Sequence, residues 1–191
     1  MGTVGLTLKI LVSWLFIGLD NMNLITKKFI LVTFVFFMFF SFVVNALEIR
    51  IETNKVDITT NEQFVAKIYI SANESINSIE GQIKFDSNLL EIKEIFDGNT
   101  IINFWMEKPR LEFPERIIFS GMTPGGFSGV SSFLYSVVFQ AKKTGTVSIY
   151  FEKQIALKND GKGSEINLTV HNATINIKQG DIFIQIKQYP C

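Results

Sequence analysis

Cysteine and histidine are almost missing from this chain. Its 191 residues include one cysteine, Cys191, and one histidine, His171. A single cysteine cannot form a disulfide inside the fold, and it cannot supply the several thiolates of a structural zinc site. The lone histidine has no serine or cysteine nucleophile motif beside it, which argues against a catalytic triad. The fold must therefore be held by a hydrophobic core, and the sequence predicts no metal and no cofactor.

A marked excess of charge of one sign is missing as well. From Leu47 onward, 15 Lys and Arg residues stand against 17 Asp and Glu residues, a formal balance of −2. No basic stripe is present, which argues against nucleic-acid binding. Acidic pairs such as Glu91 with Glu94 or Glu112 with Glu115 have the residue types of a glycosidase site. Nothing distinguishes them from ordinary surface charge, so we expect a protein that is not an enzyme.

Long apolar runs are confined to the N-terminal part, at residues 6–19 and 29–44. Lys27-Lys28, the second run and then Val44-Asn45-Ala46 have the charged, apolar and small-residue order of a secretory signal peptide. The second run is shorter than the ~20 residues that span a bilayer. We therefore expect residues 1–46 to be an extension and signal peptide, with the true start at Met22 and cleavage after Ala46. An uncleaved membrane anchor is the alternative; both place the remainder outside the membrane, secreted or on the cell surface.

Helical periodicity is absent after residue 46, and apolar residues alternate with polar ones instead. The clearest example has Ile79, Gly81, Ile83 and Phe85 on one face, and Glu80, Gln82 and Lys84 on the other. About nine short strands with turn signals between them predict an all-β fold, an antiparallel β-sandwich of the jelly-roll type. We assign it to residues 47–178, and residues 179–191 to a tail or truncated linker.

Four local patterns make sharper predictions. Residues 122–129 contain Pro124-Gly125-Gly126 and predict a loop. Pro109 and Pro114 predict an edge strand, since proline cannot donate to a ladder. The apolar positions change parity near His171-Asn172, which predicts a bulge or bend there. The last pattern is the alternation at residues 102–107, which predicts that Ile102, Phe104 and Met106 face the core.

Several segments together resemble the cohesin family. They are IEGQIKFDSNLLEI at residues 79–92, NEQFV at 61–65, RIIFSG at 116–121, LYSVVFQA with KKTGT at 134–146, and ALKNDGKG at 156–163. The resemblance implies a β-sandwich related in fold to cellulose-binding modules. It also implies a non-catalytic role, in which one flat sheet binds a small calcium-loaded helical partner, the dockerin.

The resemblance places the family's partner-facing polar pair at Ser78 and Glu80, where cohesins carry Asn and Asp. Gln82 follows on the same face. Trp105 shares its face with Asn103 and Glu107, which predicts either an outward indole that contacts a partner or one that packs under the adjacent loop. Candidate partner-binding residues are therefore Ser78, Glu80, Gln82 and Trp105.

A second function remains open from the residues alone. Tyr69, Trp105 and Tyr150 fall on polar faces and would form a sugar-stacking strip if they lay on one sheet. That arrangement would favour a carbohydrate-binding module that recognises polysaccharide. A structural module of a cell-surface protein is the third alternative. The segment from Asn159 to Glu165 has acidic and glycine residues but lacks the ligand spacing of a calcium loop, which favours a tight turn.

Overall fold

The computed structural model describes residues 47–180 together with Asn23, Ile25 and Lys28. The expected signal peptide, its cleavage point and most of the expected tail therefore lie outside the described residues. No helix in the described part of the chain has both the length and the apolar character needed to cross a membrane. Residues 47–180 form nine strands: β1 (Leu47–Thr53), β2 (Asp57–Thr59), β3 (Gln63–Lys84), β4 (Leu90–Phe96), β5 (Phe104–Phe113), β6 (Arg116–Ala141), β7 (Gly145–Lys158), β8 (Leu168–His171) and β9 (Ala173–Lys178).

Two long strands, β3 and β6, each contribute to two sheets. The first half of β3 pairs with β1 and with the second half of β6, which pairs in turn with β4. Strand β8 joins the outer side of β1. We call the resulting order β8-β1-β3-β6-β4 the first sheet. The second half of β3 pairs with β7 and with the first half of β6, giving β2-β9-β7-β3-β6-β5 as the second sheet.

The two halves of β3 and β6 are joined through irregular pairing, which lets each strand pass between the sheets. Register shifts fall between Ile68 and Ser78 of β3. On β6, Gly125 and Gly126 have φ of 90° and 88°, and Ser131 has φ of 54°. The prediction that residues 122–129 form a loop is therefore wrong, because this segment does not interrupt the sheet. The Pro-Gly-Gly sequence bends β6, which keeps pairing through Phe127 and Gly129.

The pairing is antiparallel except at two places. Strand β8 runs parallel to β1, and the three-residue β2 runs parallel to β9. The prediction of a purely antiparallel sandwich is therefore wrong at these two pairs of strands. Parallel neighbours need a long connection between them, and both pairs join strands from opposite ends of residues 47–180.

One hydrophobic core lies between the two sheets and takes side chains from both. Phe139 of β6 is fully buried, stacks on Phe64 with ring centroids 5.5 Å apart, and meets Phe85 edge-on at 5.1 Å. The predicted inward residues Ile79, Gly81, Ile83 and Phe85 are all buried, and Glu80 between them is exposed. The period-two pattern of this stretch is therefore confirmed.

The parity change near residue 172 corresponds to a change of partner. Strand β8 pairs with β1, whereas β9, which begins at Ala173, pairs with β7 and β2. The Asn172 side-chain oxygen accepts a hydrogen bond from the backbone N–H of Phe151 at 3.1 Å. The predicted bend is confirmed, and Asn172 fixes it to β7. His171 beside it is exposed, with Nε2 3.9 Å from a Glu48 carboxylate oxygen.

Strand β5 is one of the two edge strands of the second sheet, because β6 is its single ladder partner among the described residues. The edge strand predicted from Pro109 and Pro114 is therefore confirmed. The predicted inward face of this region is wrong beyond Ile102. Phe104 and Met106 are 61% and 67% exposed, whereas Trp105 packs against the core. The reason lies on the neighbouring strand: a Cβ placed on Gly121, opposite Trp105, would come within 3.0 Å of two indole ring carbons, so the missing side chain makes room for the indole.

Candidate functional site

The outer face of the second sheet has a central row on β3, formed by Ser78, Glu80 and Gln82. Glu80 lies between Ser120 of β6 and Ile155 of β7 in the register. Ser78 lies between Met122 and Leu157 in the same way. The structure therefore places three predicted partner-binding residues together on β3, in a surface formed by the four adjacent strands β7, β3, β6 and β5. We call this surface, with Met106 of β5 beside it, the outer face.

Two shallow hollows meet on the outer face at Glu80 and Ser120. One is polar and is lined mainly by Gln82, Glu107 and Lys153 in addition to these two residues. The other has a volume of about 420 Å³ and is mainly apolar, with further lining from Met106, Met122, Ile155 and Leu157. A carboxylate thus stands at the boundary between a polar and an apolar surface. Such a mixture suits recognition of another macromolecule.

A bulge in β7 places two of these apolar residues outside. Val147, Ile149 and Phe151 face the core, but the register shifts between the pairs Gln82–Lys153 and Ile83–Phe151. The extra residue, Glu152, reverses the parity, so that Ala156 is buried and Ile155 and Leu157 are half-exposed. Reasoning from the sequence did not predict that Ile155 and Leu157 face outward, because the alternation that begins at Val147 does not continue through the bulge.

Exposed apolar residues of β5 were also missed. Phe104 and Met106 were predicted to face the core, yet they are among the most exposed large apolar side chains that the structure describes. The signal that could have found them is Gly121, which leaves a space on the inner side that Ile102 and the Trp105 indole occupy. Trp105 fills it, so the residues on either side of it face outward.

The predicted sugar-stacking residues do not share one surface. Tyr69 lies in the first sheet, where its ring meets Phe133 edge-on at 5.9 Å and the Arg50 guanidinium lies 5.3 Å from the ring centroid. Tyr150 and Trp105 belong to the second sheet, on β7 and β5, with β3 and β6 between them. Trp105 packs against the core instead of standing outward. The condition set for a flat aromatic strip is therefore not met.

The Glu80 carboxylate forms no hydrogen bond or ion pair with another residue of the described part of the chain. The nearby Lys153 side chain likewise has no bonded partner among the described residues. At the end of the same face, the Glu152 carboxylate contacts Lys84 Nζ at 3.0 Å and Arg116 Nε at 3.4 Å. The hydrogen bond to Glu152 raises the pKa of Lys84 above its usual value. Because exposed ion pairs contribute little to stability, these groups mainly set the charge pattern around Glu80.

The described residues contain no group of three or more His, Cys, Asp and Glu side chains placed to hold a metal ion. In the Asn159–Glu165 segment, Asp160 Oδ1 accepts a hydrogen bond from the Lys162 N–H at 2.8 Å. Hydrogen bonding to Ser164, and then to the Lys162 N–H, lowers the pKa of Asp160. Gly161 and Gly163 have φ of 70° and 71°. The predicted tight turn is confirmed.

Comparison with known proteins gives one consistent result. No protein-family model matches the chain, and no curated protein matches it either. Solved structures do match. A non-cellulosomal cohesin from Archaeoglobus fulgidus is 16% identical with a TM-score of 0.58, covering 70% of this chain and 92% of its own.

Two further solved structures give the same picture. A type II cohesin from the cellulosome of Acetivibrio cellulolyticus is 20% identical with a TM-score of 0.56, covering 69% of this chain and 95% of its own. A type I cohesin–dockerin complex from Clostridium thermocellum is matched at 13% identity and a TM-score of 0.58, covering 71% and 95%. The part of the chain that the structure describes therefore has the fold of a cohesin-type domain.

Proposed function

We propose that this protein is an exported, non-catalytic docking module that binds a dockerin-type partner protein through the outer face. The observation that carries the proposal is Glu80, an exposed carboxylate without a bonded partner among the described residues, at the junction of a polar hollow and an apolar one. A partner with a cationic or donor group beside apolar side chains would match both hollows.

The support for a protein partner has two parts, one from structural likeness and one from the sequence resemblance. Cohesins matched in structure were solved in complex with dockerins. The sequence resemblance places the partner-facing pair at Ser78 and Glu80, and these two residues lie on the outer face next to exposed Met106 and half-exposed Leu157. Export rests on the charged, apolar and small-residue order of residues 22–46.

The proposal is tested by capture of dockerin modules on the immobilised full chain, with calcium and with a chelator. We expect calcium-dependent retention that Glu80→Lys weakens by about tenfold or more, because the substitution reverses the central charge. Lys67→Glu is the matched control: Lys67 is exposed on the same strand but in the first sheet, and its variant should bind as the parent does.

Two outcomes would contradict docking through this face. One is equal loss of capture in both variants, which would show a nonspecific charge effect. The other is retention of polysaccharide on a glycan array, lost in a correctly folded Trp105→Ala variant, with no dockerin captured. That result would establish the carbohydrate-binding alternative.

A further inference from the structure

Exposed apolar side chains are concentrated on the edge strand β5. Of the ten large apolar residues that are exposed in the described part of the chain, four belong to this strand: Phe104, Met106, Leu111 and Phe113. Isolated exposed apolar residues are ordinary, but several on one element mark a contact surface. Phe104 and Met106 border the outer face, Phe113 lies at the far end of the strand, and Leu111 is paired with the buried Ile117 on the other side of the sheet.

The free edge of β5 makes this surface open to a second strand. Its ladder partner is β6, so the backbone groups on its other side have no strand beside them among the described residues. Natural edge strands of this length are usually protected from pairing. Pro109 interrupts the backbone ladder at the middle of β5, since it has no N–H. Contacts along β5 must therefore be made mainly by side chains.

The sequence of β5 matches itself when it is read in the opposite direction. A two-fold axis between Lys108 and Pro109 places Phe104 opposite Phe113 and Glu107 opposite Arg110. Apolar residues thus meet apolar residues, and the carboxylate meets the guanidinium. This is the self-complementarity that a symmetric dimer interface requires.

Four of these residues lie on the same face of the sheet. In the register with β6, Phe104 pairs with Met122, Glu107 with Ser120, Arg110 with Ile118, and Phe113 with Arg116. These β6 positions are two residues apart, so their side chains point to one face. Bulges in β5 keep Phe104, Glu107, Arg110 and Phe113 opposite these four β6 positions. The two pairs that meet across the two-fold axis therefore lie on matching sides, whereas Leu111, paired with the buried Ile117, faces the other side of the sheet.

We propose that β5 binds a second copy of this chain, antiparallel and about a two-fold axis, to form a dimer. Within one chain, Arg110 contacts Glu107 at 2.7 Å through Nε and at 2.5 Å through the other guanidinium nitrogen. Across the axis, the Glu107 carboxylate of one copy faces the Arg110 guanidinium of the other copy. The Phe104 and Phe113 side chains would bury on the order of 100 Å² each. Because stable interfaces bury ~800 Å² per partner, the dimer is weak and reversible.

The test measures sedimentation of the full chain in a density-matched detergent over a wide range of concentrations. The parent should shift from monomer to dimer as concentration rises. Phe113→Ser should raise the dissociation constant by about tenfold or more, because it removes one apolar pair from each side of the axis. Val130→Ser is the matched control, since Val130 is 79% exposed but lies on β6. The N-terminal residues are the same in all variants, so association through them cancels in the comparison.

A charge exchange separates contact between copies from the pair inside one chain. Arg110→Glu makes this part of β5 doubly acidic, and Glu107→Arg makes it doubly basic. Each variant alone should remain monomeric, and an equal mixture of the two should form heterodimers. A parent that is monomeric at every concentration, or a mixture that fails to associate, would overturn the proposal. Dockerin capture by Phe113→Ser is measured alongside, so failure of the dimer is distinguished from failure of the docking function.

Discussion

Glu62 shows how one surface carboxylate can organise a turn. Its side chain accepts hydrogen bonds from Lys55 Nζ and from the Thr59 backbone N–H, the latter at 2.9 Å. Asn61 beside it has φ of 69°. The bond from Lys55, followed by that from Thr59, lowers the pKa of Glu62 from 4.5 to about 2. The charged form is therefore favoured in the folded state.

The pH dependence of stability follows from the sign of this shift. A carboxyl group whose pKa is lower in the folded state stabilises the fold above its unfolded pKa, and this contribution is lost as the pH falls from 4.5 to about 2. Glu62→Gln should therefore be less stable than the parent at neutral pH, with a difference that shrinks over this window. Urea unfolding at a series of pH values measures it. Glu94→Gln is the control, because Glu94 is exposed on β4 and its side chain has no bonded partner among the described residues. A pH-independent effect of Glu62→Gln would contradict the assignment.

At the scale of elements, the junction of β8 and β9 depends on one side chain. Asn172 accepts from the Phe151 N–H at 3.1 Å, at the place where the β7 bulge begins. Asn172→Ala should lower the free energy of unfolding by about 1–2 kcal/mol, since a half-buried donor loses its acceptor. Asn172→Asp keeps an acceptor oxygen and should lose less.

Chemical unfolding of both variants checks this expectation. Asn167→Ala is the control, because Asn167 is exposed, precedes β8 and has no bonded partner among the described residues. Equal losses for Asn172→Ala and Asn172→Asp would show that geometry other than the hydrogen bond holds the bend.

Elements also show where prediction from the sequence succeeds. The alternation at residues 79–85 and the bend at Asn172 were predicted because the side-chain period of a strand is two, and any change of parity requires an extra residue. The β7 bulge at Glu152 left no such signal, since Ile155 and Leu157 are apolar residues on the outer side of a sheet. The inversion around Trp105 was missed because its cause, the space above Gly121, lies on another strand.

At the scale of the whole molecule, strands β3 and β6 join the two sheets into one unit around a single core. We therefore expect unfolding to be cooperative across both sheets. Phe139→Ala removes a fully buried ring of the first sheet that contacts Phe64 and Phe85. The loss should be about 3–5 kcal/mol. The unfolding midpoint should fall by the same amount whether unfolding is followed by the fluorescence of Trp105, which lies in the second sheet, or by far-ultraviolet circular dichroism.

The measurement uses a Trp14→Phe background, so that Trp105 is the single tryptophan of the chain. Phe96→Ala is the matched control, since Phe96 of β4 is 49% exposed and its removal should cost much less. Separate transitions for fluorescence and circular dichroism would show that the two sheets unfold independently, which contradicts the joined architecture.

The sequence by itself determined that residues 47–178 form strands, which residues of β3 face the core, where the last strands bend and that one aspartate closes a tight turn. These features depend on neighbours in the chain, because local alternation and turn chemistry act over a few residues. Tertiary structure alone decided that β3 and β6 belong to both sheets, that β8 and β2 run parallel to their partners, and that Ile155, Leu157, Phe104 and Met106 face outward. Each of these features depends on bulges and on spaces left by residues far away in the chain. The sequence of one strand does not determine the shape of the strand that packs beside it.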